Sequence, residues 1–114
     1  MSYSYYNSKT RQRAVKMLQR SVKLIEQNGW CTGEERKLVG EQLHYCAVGA
    51  LNESAKNFPS KDAWISRSLA QSVLDNIALD KGFDGIVELN DHAKTDKRKV
   101  LRVFNSAIEG LTSV

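Results

Sequence analysis

The stretch that decides the fold is Cys46-Ala-Val-Gly-Ala-Leu51, a run of small and apolar residues whose spacing continues through Ser54 and Ala55. With Leu43 added, the positions 43, 46, 47, 50, 51, 54 and 55 repeat at helical steps, so the spacing predicts a helix from about Leu43 to Asn57. Ala47, Gly49 and Ala50 let a neighbouring backbone come close. A glycine inside a helix costs about 1 kcal/mol against alanine, so Gly49 calls for a reason in packing or access.

On the N-terminal side, Ala14, Val15, Leu18, Val22 and Ile25 recur at steps of three and four, and Asn28-Gly29 supplies a stop. The opposite face carries Lys9, Arg13, Lys16, Arg20 and Lys23, a basic stripe. Residues 29 to 42 mix glycines with charges and read as a loop with Trp30 packed down on something, Thr32 and Glu35 having capping-box spacing. On the C-terminal side, Ser60 can cap a helix that runs to about Asp80 with Trp64, Ile65, Leu69, Val73, Leu74, Ile77 and Ala78, the heaviest apolar load in the chain and therefore the expected central helix. Residues 86–89 are an extended stretch or a helical turn. A last helix, capped by Thr95 or Asp96, buries Val100, Leu101, Phe104, Ala107, Ile108 and Leu111. The expectation is an all-α fold: a compact single-domain bundle of about four main helices over residues 1–114, with residues 1–8 a flexible Tyr-rich segment.

The 114 residues are enough for one core. A hydrophobic share of 41% with 26% charged residues is too apolar for a disordered chain. No run is apolar enough to span a bilayer, the start has no signal pattern, and Cys31 and Cys46 are spaced unlike a disulfide framework, so a cytoplasmic protein with reduced thiols and no membrane partner is expected. The net charge of +4 matters less than its distribution. Besides the stripe, residues 94 to 102 hold Lys94, Lys97, Arg98, Lys99 and Arg102 against Asp96 alone.

Taken together, Gly29-Trp30 with Gly33, Cys46 to Leu51, Leu89-Asn90-Asp91, and Thr95 opening a helix with Val100 and Ala107 resemble an uncharacterised bacterial and bacteriophage family, a domain of unknown function. The resemblance covers roughly residues 14 to 110. It implies positions without chemistry, and a phage or prophage type of protein that blunts a host defence. Members usually carry an aromatic immediately before Asn-Asp, where this chain has Leu89.

Four constellations could carry function. Cys46 at a helix start, with His92 and Asn90 or Asp91, has the residue types of a thiol nucleophile with its base, the basis of a hydrolase or transferase alternative. A buried small packer is the plainer reading of Cys46. Cys31, His44, Cys46 and His92 have the number but not the spacing of a zinc set, so no metal is expected. Trp30, Cys46, Asn90, Asp91 and Thr95 could form a ligand site, while ordinary capping accounts for the last three. Finally, Lys9, Arg13, Lys16, Arg20 and Lys23, with Lys97, Arg98 and Arg102, could meet an anionic partner. Cations in a helix's first turn oppose its dipole, which an anion would offset.

Walker A, GxGxxG, HExxH and nucleophile-elbow patterns are missing, and no cofactor is expected. The reading is a small non-catalytic binding protein that engages an anionic, nucleotide-like small molecule or an acidic protein surface. A homo-oligomer and a nucleic-acid partner are alternatives, the latter poorly supported because few aromatics besides Tyr3, Tyr5 and Tyr6 accompany the basic residues.

Overall fold

The computed structural model describes residues 3, 6–58 and 61–113. Five helices and one hairpin follow in order: α1 (Ser8–Asn28), β1 (Arg36–Val39), β2 (Gln42–Tyr45), α2 (Ala47–Ala55), α3 (Ala63–Asp80), α4 (Ile86–Asp91) and α5 (Lys97–Thr112). The fold is mainly helical, as the periodicity predicts, but not all-α.

The first helix starts where the Asn7 side chain accepts the Thr10 N–H at 2.8 Å and ends at Gly29, whose φ of 124° a side chain would resist. Its buried face is Ala14, Met17, Leu18, Ser21 and Ile25, with Val15 and Val22 at the half-buried margins. This helix packs against α2, α3 and α5, and α3 in turn packs against α1, α2, α4 and α5. Close approach to α2 is marked by Ser21 and Ser54, fully buried, with hydroxyl oxygens 3.2 Å apart. Part of the apolar load of α3 nevertheless faces solvent, Trp64 being 68% and Leu79 53% exposed.

The hairpin is the correction to the all-α expectation. Val39 faces Gln42 and Lys37 faces His44 across a two-residue turn. Gly40, with φ of 64°, fills the first turn position, where a positive φ matches the twist of the strands. All four β1 residues are exposed, so no alternation of apolar and polar residues announces the strand. Leu43 therefore belongs to β2, and the helix predicted from it starts four residues later. Tyr45 is held in extended pairing by its N–H to the Gly29 carbonyl (2.9 Å) and by the Cys31 N–H to its own carbonyl (3.1 Å), which stops the helix from reaching back. Thr32 and Glu35 cap nothing, since no helix begins there.

Residues 86–89 resolve as helix, part of α4. Of the two candidate caps for α5, Asp96 performs the role, accepting the Lys99 N–H at 2.9 Å. Ser60, like residues 1, 2, 4 and 5 of the Tyr-rich segment, lies outside the described residues. Tyr3 packs into the core with its hydroxyl accepting from Asn76 Nδ2 at 3.1 Å. Among the described residues no helix is long and apolar enough to cross a membrane.

Candidate functional site

The short helix α4 separates two regions, and the residues singled out in the sequence divide between them. On one side lies Asn90, only 1% exposed. Its Oδ1 accepts the Trp30 indole N–H at 2.8 Å and the Ala47 N–H at 3.0 Å. Its Nδ2 donates to the Cys31 carbonyl at 3.1 Å and to Asp91 Oδ1 at 2.9 Å. A carboxamide has two acceptor and two donor positions, so Asn90 is fully used inside the protein. The same Asp91 oxygen accepts the Gly33 N–H at 3.0 Å. Trp30, Asn90, Asp91 and the start of α2 thus come together, as a clasp that ties residues 29–33 and α2 to α4.

Cys46 caps α2, its Sγ accepting the Gly49 N–H at 3.3 Å, a role in which the sulfur stands in for the usual oxygen. Gly49 has its reason here: a Cβ at that position would lie 1.7 Å from the Glu35 carbonyl oxygen, which accepts the Cys46 N–H at 3.0 Å. The hairpin's base therefore rests on the first turn of α2. A chain from Arg67 through Asn52 to the Glu35 carboxylate strengthens the seat.

A cavity of about 220 Å³ opens beside the clasp, walled by Glu34, Glu35, Asp91, Cys46, Val48 and Val87. Three carboxylates make it a poor place for an anion. Burial pushes the Cys46 thiol up, against the lowering by the Gly49 and Val48 backbone hydrogen bonds, and burial with the neighbouring Cys46 raises Cys31 too. A raised thiol pKa suppresses the thiolate that nucleophilic chemistry needs. His92, the candidate base, lines a different depression across α4. The structure does not bring Cys46 and His92 into one site. Among the described residues no group of three or more His, Cys, Asp or Glu is placed to hold a metal ion.

That second depression, about 370 Å³, lies between the turn after α3, the end of α4 and the first turns of α5. Phe83, Leu89 and Val103 give it apolar walls, while Lys81, Lys94, Lys99 and Arg102 supply four cations and no lining residue is a carboxylate. Thr95 and His92 complete it, so Thr95 belongs here and not with the Asn90 clasp. The polar groups are partly preset. Lys99 Nζ donates to the Lys94 carbonyl at 2.8 Å, the Lys94 N–H donates to His92 Nδ1 at 3.1 Å, and the His92 ring meets Phe83 edge to face at 5.3 Å.

The 102 residues from 9 to 110 match the model of a family described as a family of unknown function, DUF6197. The chain belongs to this family. Clasp and cleft both fall within the matched span. No curated protein and no solved structure matches the chain.

The basic cluster of the sequence therefore splits. Arg102 lines the cleft, Arg98 stays exposed outside it, and Lys97 Nζ reaches 3.5 Å to the Glu26 carbonyl in the last turn of α1, where a cation suits the helix dipole. Lys9, Lys16, Arg20 and Lys23 are exposed and Arg13 half-buried along α1, with the Arg20 guanidinium 4.8 Å above the Phe58 ring. Lys81, Phe83 and Val103 line the cleft without having been singled out in the sequence. Lys81 and Phe83 had a signal in the Lys81-Gly82-Phe83 turn, where an aromatic follows a helix stop, and Val103 in its helical spacing from Val100 and Ala107.

Proposed function

We propose that the protein is a non-catalytic binding module that takes an anionic small molecule in the cleft between α4 and α5. The observation that carries the reading is four cations around apolar walls with no lining carboxylate, against three carboxylates in the cavity on the other side of α4. Like charges held together repel, and an anion relieves that repulsion in the bound state. Apolar walls with a few convergent polar groups are the usual make-up of a small-molecule site. Calorimetric titration with pyrophosphate at low ionic strength tests it. Binding should be lost in Lys94→Gln/Lys99→Gln/Arg102→Gln with the fold intact by circular dichroism; unchanged affinity in that variant would end the reading.

The α1 stripe supports a second, weaker contact, an acidic protein surface on the face bearing Lys9, Lys16, Arg20 and Lys23. Exposed cations there act through long-range attraction, so the contact would fade with salt. Such a surface is what blunting a host protein would use, and charge reversal at these four positions should abolish any such complex in a pull-down.

A further inference from the structure

Resting on the cleft as an anion site, we infer that its ligand is a free nucleoside monophosphate, held by its aromatic base as well as by its phosphate. The cations and the apolar walls face one space of about 370 Å³, a volume at the lower end of the ~300–1,000 Å³ of small-molecule sites and far larger than an inorganic anion fills. Leu89 and Val103 are buried behind the cleft wall, and phosphate alone would leave the half-buried Phe83 ring against water. A planar base covers it.

The chemistry of the rim fits the same ligand. Lys94, Lys99 and Arg102 lie on the connection into α5 and on that helix's first turns, so the phosphate belongs at this end. Lys99 has one of its three donors on the Lys94 carbonyl, which fixes the ammonium and leaves two for a phosphate oxygen. His92 accepts the Lys94 N–H through Nδ1, so the neutral ring carries its proton on Nε2 and presents a donor. Its edge-to-face contact with Phe83 sets the two rings beside each other, and a base packing against one such ring gains about fivefold to a hundredfold in affinity. Since apolar contact reads area and not base edges, purines should bind better than pyrimidines with little further discrimination.

Calorimetry on the full chain with adenosine 5′-monophosphate, inorganic phosphate, ribose 5-phosphate and a 5′-phosphorylated tetranucleotide separates the outcomes. The monophosphate should bind at least about fivefold more tightly than phosphate or ribose 5-phosphate, and Phe83→Ala should remove that margin. Phe83→Leu, which keeps most of the packing volume, gives the same reading should the alanine variant unfold. Equal affinity for phosphate and the nucleotide, or a margin untouched by both Phe83 variants, overturns the base contact and leaves the anion site standing. Tighter binding of the tetranucleotide overturns the free ligand in favour of a strand end. Failure of pyrophosphate to bind the wild type removes the anion site itself.

Discussion

The two sides of α4 use similar residue types to opposite ends. Around Asn90, every donor and acceptor of the side chain is matched by the protein, and the adjoining cavity is acidic. Around Arg102, four cations converge on an apolar wall, and among the described residues only the Lys99 side chain of the four hydrogen-bonds to the protein. A saturated polar group holds a fold together, and an unsaturated cluster can hold something else. The difference predicts that substitutions on the clasp side change stability, whereas those on the cleft side change binding.

The largest effect should come from Asn90→Ala. It leaves the Trp30 indole, the Ala47 N–H and the Cys31 carbonyl without their partner, and orphaned buried groups at about 1–3 kcal/mol each put the loss near 4 kcal/mol by urea denaturation. Next is Gly49→Ala. The Glu35 carbonyl against α2 is backbone and cannot swing away, so the added methyl must push the hairpin off the helix, at about 3 kcal/mol in the same assay. A loss below 1 kcal/mol in either variant would break the contrast from the clasp side.

Smaller effects sharpen it. Cys46→Ala removes a side-chain cap and should cost about 1 kcal/mol, while Cys46→Ser keeps an acceptor for the Gly49 N–H and should recover most of the loss in thermal melts. Raised thiol pKa values in the fold mean that the unfolded chain releases these protons first. Stability is then flat at neutral pH and falls as pH rises past the ordinary thiol range, above about pH 8.5. Comparing melts at pH 7 and pH 9.5 for the wild type and for Cys31→Ser/Cys46→Ser should show the dependence weakened in the double variant. On the cleft side, Lys94→Gln/Lys99→Gln/Arg102→Gln should move stability by no more than about 0.5 kcal/mol, since exposed charges contribute little to the fold.

Elements with a buried face were legible in the sequence. The face of α1, the stop at Gly29 and the load of α5 all leave a period in the apolar residues, because burial selects it. The hairpin left none, since β1 faces solvent throughout and only Gly40 records the turn. Trp64 misled for the converse reason: it sits at helical spacing yet points outward. Of the candidate sites, the meeting of Trp30, Asn90 and Asp91 was legible as a juxtaposition, but whether Asn90 is free or saturated depends on three-dimensional partners. The cleft was half legible. Lys94, Lys99 and Arg102 stand together in the chain, whereas Lys81 and Phe83 reach them only through the turn that follows α3.

Backbone amide shifts of isotope-labelled protein during a pyrophosphate titration locate the anion on the molecule. The amides of Lys81, Phe83, Lys94, Thr95, Lys99 and Arg102 should move saturably, with Gly33, Glu35 and Val87 unmoved. Movement centred on those last three, or confined to the α1 residues Lys9 to Lys23, would contradict the cleft as the anion site.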